Sequence, residues 1–163
     1  MNAAGETDNK QSTKGGPLPG LLRPPLIFLA AILLGVALNW AWPLPFLSSI
    51  GRLLGPVLTV CAVFLFLRSF GEFRRAGTPV RGSERTTKIV QTGPYGFSRN
   101  PIYLSFILLL VGLSVWLNNL WLLITLVPTV GLIAVLVIPR EERFLESNFA
   151  EYSSYKAAVR RWL

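Results

Sequence analysis

Four uncharged apolar runs, separated by polar segments, dominate the chain from residue 26 onward. They cover residues 26–42, 53–67, 102–117 and 120–138. The first and last approach the roughly 20 residues that a bilayer-spanning helix needs, and the middle two reach that length with flanking residues. The pattern predicts an all-α fold, an integral membrane helical bundle with four transmembrane helices.

The third and fourth runs are separated only by Asn118 and Asn119, which predicts a tight antiparallel hairpin. Pro128 and Gly131 interrupt the fourth run. Such a break is tolerated in a bilayer when neighbouring groups satisfy the carbonyls that it frees. It either opens space beside a pocket or is a packing kink without a ligand.

Residues after the fourth run have a different pattern. Apolar side chains recur there at steps of three and four positions, with charged residues largely elsewhere around the helix: Leu145, Phe149, Tyr152, Tyr155, Val159 and Trp162. This predicts one amphipathic C-terminal helix on the cytoplasmic side. Its aromatic face either lies on the membrane or folds back as a lid over the central loop.

The chain therefore divides into five parts by composition. The expected parts are a disordered cytoplasmic tail (1–24), transmembrane helices one and two (25–70), a cytoplasmic loop (71–101), a transmembrane hairpin (102–139) and the amphipathic helix (140–163).

Positive charge indicates the orientation of these helices. Lys and Arg are concentrated in the N-terminal tail, near the central loop and after the fourth run, whereas the other two loops contain only Arg52. Since cationic residues near helix ends are retained in the cytoplasm, both termini are expected there, with the helices in the inner (plasma) membrane. The net charge of +8 then fits anionic lipid headgroups, so we expect membrane lipid rather than nucleic acid as a partner.

Composition narrows the chemistry further. The hydrophobic fraction of 52% and mean hydropathy of +0.49 are typical of membrane proteins. The apolar runs contain no ionisable Asp, Glu, Lys or Arg, which argues against ion translocation. The sequence has no histidine and a single cysteine, Cys61, so an internal disulfide and a thiol metal site are excluded, and we expect no metal.

A polar, aromatic segment at residues 87–103 runs directly into the third apolar run. It contains a Gly93-Pro94 turn and leads to Pro101, a residue suited to the first turn of a helix. Asn100 or Ser98 is the expected cap for the amides of that turn. The segment is either a simple helix start or a site where those amides, with Asn100 and Arg99, bind a ligand carboxylate.

Glu141 and Glu142 directly follow the fourth run. Because the hairpin reverses the chain, we expect them at the same membrane face as Asn100. Paired acids at the start of a helix favour its dipole without any ligand. Alternatively, one carboxylate binds ribose hydroxyls or an ammonium group, and the neighbouring Arg140 binds an anionic substrate.

Together the two segments resemble a known signature. The sequences GPYGFSRNPIYL and REERFLESNFAEYSSYKAAVRRWL, in this order around a hydrophobic hairpin, resemble the C-terminal part of the isoprenylcysteine carboxyl methyltransferase family, which is allied to the phospholipid methyltransferases. The resemblance covers about residues 86–163. Many members have histidine where this chain has Asn100, and the usual Phe-Gly-Glu-Glu-Tyr is one residue shorter here.

The resemblance implies a membrane methyltransferase whose cofactor is S-adenosylmethionine. The implied cofactor-binding residues come from both segments: Lys88, Ile89, Val90, Tyr95, Asn100, Pro101, Tyr103, and Glu141 or Glu142. Arg140 is the candidate for orienting the acceptor. Asn100 is the second catalytic candidate, and its amide donates a hydrogen bond but cannot transfer a proton.

The expected reaction is an in-line attack on the sulfonium methyl by a lipophilic acceptor. A carboxylate acceptor is already ionised at neutral pH and needs no general base, which suits a chain without histidine. Two alternatives remain at this point. They are a non-catalytic four-helix membrane protein that binds lipid or a partner subunit, and a nicotinamide-dependent membrane reductase.

Overall fold

The structure, a computed structural model, describes residues 23–78 and 87–163, and its regular elements are helices. The α-helices are, in chain order, α1 (Pro24–Ala41), α2 (Leu54–Ala76), α3 (Pro101–Leu117), α4 (Leu120–Leu132), α5 (Ile138–Asn148) and α6 (Tyr152–Ala158). Short 3-10 turns cover Gly51–Leu53 and Gly93–Gly96, and a π-helical turn at Ile133–Val137 joins α4 to α5. The predicted tail lies outside the described residues except for its last two positions, and so does part of the central loop.

Three helical stretches are long and apolar enough to cross a membrane. They are Pro24–Ala41, Gly51–Ala76 and Leu120–Asn148, with 18, 26 and 29 residues. The third predicted span, residues 102–117, corresponds to α3, which is apolar but has only 17 residues. The described part of this integral membrane protein is thus all-helical, with three stretches long and apolar enough to cross a membrane and one shorter apolar helix.

The helices pack in antiparallel pairs. Along α1 and α4, Thr125 donates to the carbonyl of Ala31 at 3.2 Å and Asn119 donates to that of Gly35 at 3.1 Å. Along α2 and α3, Gly55 lies against Trp116 near one end and Phe66 packs on Phe106, with ring centroids 5.6 Å apart, nearer the other. With α3 also packed on α4, the helices are ordered α1, α4, α3, α2 across the bundle.

The predicted hairpin between the third and fourth runs is confirmed. Asn118 adopts the left-handed conformation with φ of 50° between α3 and α4, a conformation that asparagine tolerates better than most residues. Its side-chain oxygen accepts from the backbone amides of Phe46 and Leu47 at 2.9 and 2.8 Å. The turn therefore also anchors the connection between α1 and α2, and both connections lie at one end of the bundle.

The predicted interruption of the fourth run lies later than the sequence indicated. The α4 helix continues through Pro128, and the irregular turn is the π-helical stretch at Ile133–Val137. Ile133 and Val137 within it are buried, so this turn contributes to the core of the bundle. The irregular geometry is the kind of local adjustment by which membrane helices accommodate proline.

The single amphipathic helix expected over residues 140–163 is instead two helices. The α5 helix ends at Asn148, Phe149 is extended, and α6 begins at Tyr152. Leu145, Tyr152 and Tyr155 are buried together, with Ile89 of the central loop packed against them. The aromatic side chains therefore pack on the loop, as the lid alternative predicts. The end of the bundle that holds Arg23, residues 87–100 and residues 138–163 is called the basic end below.

Candidate functional site

The start of α3 is held by the C-terminal residues of the chain. Asn100 occupies the N-cap position, but its side chain makes no capping hydrogen bond, so the cap expected from Asn100 is not formed. The Ser98 hydroxyl oxygen does accept from a backbone amide here, that of Asn100, at 3.2 Å. The side-chain amide of Asn100 donates instead to the carbonyl of Arg161 at 3.1 Å, and the Ser98 hydroxyl donates to the same oxygen at 3.3 Å. Pro101 at the first helical position has no N–H to cap, which lowers the need for one.

Residues 160–162, the C-terminal strap, extend this contact. The backbone amide of Arg99 donates to the carbonyl of Arg160 at 2.9 Å, and Trp162 packs against the buried cluster at the centre of the bundle. Side-chain and backbone donors of residues 98–100 are thus directed at the strap. If Asn100 binds a ligand as expected, its side-chain amide must do so while it also donates to the strap.

One hydrogen bond joins the two segments singled out from the sequence. The Tyr103 hydroxyl donates to Oε1 of Glu141 at 2.7 Å, across 38 positions of sequence. Tyr103 is buried in the first turn of α3 and Glu141 is half-buried in the first turn of α5. The expectation that the hairpin returns the glutamates to the level of the α3 start is therefore confirmed.

Glu142, the next residue, has different surroundings. Its buried carboxylate accepts from Nη2 of Arg161 at 2.6 Å and from Nε of the same residue at 3.1 Å, and Nη1 of Arg99 lies 3.1 Å from its Oε1. The hydrogen bond with Glu142 raises the pKa of Arg161, so this guanidinium stays protonated at any pH the protein meets. Two cations hold Glu142 in place and connect α5, the segment before α3 and the C-terminal strap.

The segment before α3 is built into the protein interior. Val90 and Tyr95 are buried against Phe73 of α2, with the Tyr95 and Phe73 rings edge to face at a centroid distance of 5.3 Å. The hydroxyl of Tyr155 in α6 donates to the carbonyl of Tyr95 at 2.8 Å. Tyr95 therefore lies between α2 and α6.

The remaining predicted residues are more accessible. Lys88 and Arg140 are exposed, and Ile89 is half-buried against the α5 and α6 cluster. Arg140 precedes Glu141 and is exposed on the first turn of α5, whereas Asn100 and Pro101 are buried at the α3 start. The structure thus brings Asn100, Pro101, Tyr103 and the two glutamates together at the basic end, with Lys88 and Arg140 on its surface.

Sequence reasoning missed two residues that shape this region, Arg161 and Tyr155. Arg161 lies 19 positions from Glu142, and Tyr155 lies 60 positions from Tyr95. The periodic spacing places Tyr155 on the aromatic face, which indicates burial but not a partner, and Arg161 is only one of several cations after the fourth run. No local signal in the sequence identifies either contact.

Comparison with known proteins identifies a family. The family model described as phospholipid methyltransferase matches residues 50–152, a stretch from the start of α2 to the start of α6. No solved structure matches the chain.

Curated relatives are similar over parts of the chain. The cobalt-zinc-cadmium resistance protein CzcN of Cupriavidus metallidurans is 28% identical over 142 residues, which cover 83% of this chain and 58% of the relative. An uncharacterized protein of Haemophilus influenzae is 41% identical over 63 residues, 38% of this chain and 100% of the relative. The nickel-cobalt-cadmium resistance protein NccN of Alcaligenes xylosoxydans xylosoxydans is 32% identical over 71 residues, 44% of this chain and 33% of the relative.

The chain thus spans somewhat more than half the length of CzcN. The family match, by contrast, covers more than half of this chain and includes both Tyr103 and Glu141. On that match, the chain belongs to the phospholipid methyltransferase family.

Proposed function

We propose that this protein is an S-adenosylmethionine-dependent methyltransferase that methylates a lipophilic carboxylate at the cytoplasmic face of the membrane. The observation that carries the proposal is the hydrogen bond between Tyr103 and Glu141, because it joins the two segments that resemble the methyltransferase signature. Membership of the phospholipid methyltransferase family supports the same reaction class.

The two glutamates differ in their fitness to hold the cofactor. Glu142 is buried and already accepts from two guanidinium groups. Glu141 is half-buried, and a carboxylate has about four lone-pair sites, so it can accept from Tyr103 and from a ribose hydroxyl or an ammonium group together. We assign the cofactor contact to Glu141, and the buried Val90 and Tyr95 to the fixed wall behind the adenosyl group.

Bound S-adenosylmethionine would supply an electrophilic methyl group on a sulfonium. The chain's own part is alignment and exclusion of water. Exposed Arg140, next to Glu141, is suited to hold the acceptor carboxylate by a charge-assisted hydrogen bond. An ionised carboxylate needs no proton removed, and Asn100 and Tyr103 therefore serve as donors and positioning groups rather than as bases.

Cofactor binding is the first test. For the purified full-length protein in detergent, we expect saturable binding of S-adenosylmethionine by isothermal titration calorimetry. Glu141→Gln and Tyr103→Phe should each weaken that binding by about 10-fold, the usual consequence of losing a hydrogen bond to a charged group. Glu151→Gln, an exposed glutamate of the same C-terminal region, is the matched control and should bind as the wild type does.

Other results of the same experiments would contradict the proposal or the assignment of Glu141. No saturable binding by the wild-type protein would contradict the proposal, and a stronger thermal shift with a reduced nicotinamide cofactor would favour a reductase instead. Equal affinity of Glu141→Gln and Glu151→Gln would remove Glu141 from the site.

The acceptor class is tested with labelled cofactor. We expect transfer of the labelled methyl group to long-chain carboxylic acids in mixed micelles, detected as methyl esters by mass spectrometry. Arg140→Gln should lower transfer without changing S-adenosylmethionine affinity, since its proposed partner is the acceptor. Arg143→Gln, on the next exposed arginine of α5, is its control. Transfer to an amine-containing lipid but to no acid would contradict the carboxylate assignment.

A further inference from the structure

A second buried carboxylate, Glu72, lies outside the segments considered so far. It is in the last turns of α2, beyond the apolar run, and only 6% of its surface is exposed. A buried glutamate is costly unless polar partners satisfy it, so its contacts indicate what it does.

Those contacts run to the segment before α3. The Thr92 hydroxyl donates to Oε2 of Glu72 at 2.6 Å, across 20 positions of sequence, and Nη1 of Arg75 donates to Oε1 at 3.0 Å. Arg75 is on the same helix and its side chain is 68% exposed, so it balances the charge from the surface. The Thr92 bond is the one that joins different parts of the fold.

Gly93 shows how closely the two parts approach. Its φ is +59°, and a Cβ built there would lie 2.9 Å from Oε1 and 3.0 Å from Cδ of Glu72. The backbone of residue 93 therefore rests against the carboxylate, in a conformation that residues with a side chain rarely adopt. The 3-10 turn Gly93–Gly96 begins at this point and leads to Tyr95.

The neighbouring residue on α2 supports the same segment. Phe73 packs edge to face on Tyr95 and, with Val90, forms a small buried cluster. Glu72 and Phe73 thus hold the segment on both sides of the turn, one by a hydrogen bond and one by packing. Both Val90 and Tyr95 are residues that we assign to the cofactor site.

We propose that Glu72 is a positioning residue: by accepting from Thr92 and contacting Gly93, it fixes the turn that presents Val90 and Tyr95 to the cofactor. The identity of the ligand in this inference rests on the proposed function, but the fixing of the turn by Glu72 does not. Glu72 touches neither cofactor nor acceptor and acts only through the turn.

The experiment compares variants at the two ends of the hydrogen bond. Thr92→Val and Glu72→Gln should each weaken S-adenosylmethionine binding by about 10-fold, whereas Thr92→Ser, which keeps the hydroxyl, should bind as the wild type does. Hydrogen exchange of the backbone amides of residues 87–97 should be faster in Thr92→Val and Glu72→Gln without any ligand, with exchange in α3 unchanged. A loss of global stability alone would instead raise exchange in α3 as well.

A glycine pair provides the matched control. Gly93→Ala strains the backbone at its φ of +59° and places a methyl group against the Glu72 carboxylate, so it should weaken binding. Gly96→Ala in the same turn has no positive φ and meets its nearest neighbour, the carbonyl oxygen of Gln91, only at 3.7 Å, so it should not.

The outcomes separate this inference from the proposed function. If the wild-type protein does not bind S-adenosylmethionine but exchange at residues 87–97 rises in Thr92→Val, the positioning role stands and the cofactor assignment fails. If the wild-type protein binds the cofactor and Thr92→Val binds equally well, with unchanged exchange, Glu72 has no positioning role.

Discussion

The adjacent residues Glu141 and Glu142 of α5 have different contacts because their side chains point in different directions from the helix. Successive residues of an α-helix point about 100° apart, so Glu141 faces Tyr103 while Glu142 faces the buried Arg99. The side chains of Arg99 and Glu142 are only 9% and 8% exposed, a setting in which an ion pair is hard to break without cost. The same chemical group thus accepts from a tyrosine hydroxyl of α3 at one position and pairs with guanidinium groups at the next.

The stability of the protein should depend on Glu142 in particular. Glu142→Gln removes the negative charge beside the buried Arg99 guanidinium, and breaking a buried pair in this way costs about 3–5 kcal/mol. Glu146→Gln on the same helix is the control. Its partner is Lys156, with the two side chains 37% and 43% exposed, and exposed pairs contribute only about 0–1 kcal/mol.

Thermal unfolding in detergent compares the stability of the Glu142→Gln and Glu146→Gln variants. The hydrogen bond to Glu146 raises the pKa of Lys156, so the lysine is protonated and able to pair at neutral pH. The Glu146 control is therefore valid at neutral pH. Equal melting temperatures for the two glutamine variants would contradict the role assigned to Glu142.

At the scale of the helices, close packing depends on small residues at particular crossings. Helices in a bilayer associate through packing and not through exclusion of water, and small residues let their backbones approach. Gly55 of α2 and Gly112 of α3 are such positions. A Cβ at Gly55 would lie 2.3 Å from the backbone nitrogen of Trp116, and one at Gly112 would lie 2.8 Å from that of Thr59.

Substitution of Gly55 tests this packing. Gly55→Ala forces α2 and α3 apart because its new methyl group meets backbone atoms, and overpacking of this kind costs about 1–3 kcal/mol. Gly71→Ala, in the same helix, meets nothing within 4 Å and should leave stability unchanged or slightly raised. Thermal unfolding in the same detergent compares them, and a Gly71 variant as unstable as the Gly55 variant would argue against the close contact.

At the scale of the whole molecule, the helix arrangement separates two chemically different ends. The connections at residues 42–53 and the Asn118 turn share one end, joined by hydrogen bonds to Phe46 and Leu47. The basic end carries exposed arginines on α2, α5 and the C-terminal strap: Arg74, Arg75, Arg140, Arg143 and Arg160. This asymmetry supports the proposal that the basic end faces the cytoplasm.

Cysteine labelling tests that orientation. In a background with Cys61→Ser, we expect Ser48→Cys to react with a membrane-impermeant maleimide in intact cells, because residue 48 is exposed at the end opposite the basic end. Ser153→Cys, exposed on α6, should react only after the cells are permeabilised. The reverse labelling pattern would invert the topology and place the proposed site outside the cell.

The helical class, the apolar helices and the hairpin could be predicted from the local sequence. Each depends on properties that neighbouring residues share: a run of apolar side chains is stable as a helix in lipid, and two asparagines between two such runs leave room only for a turn. The approach of residues 141 and 142 to the start of α3 followed from that hairpin by geometry alone. Even the methyltransferase signature is a pattern of short local segments.

Tertiary structure decided which residue does what within those segments. The break between α5 and α6, the pairing of Glu142 with Arg161 and the contact of Glu72 with Thr92 depend on side chains far apart in sequence. Amphipathic periodicity predicts that the aromatic face is buried. It does not distinguish burial in lipid from burial against the loop at Ile89. The sequence by itself therefore determined the apolar helices and which two segments approach each other. Only the packed chain decided the break between α5 and α6 and the partner of each side chain, because the energy of a contact depends on distance in space.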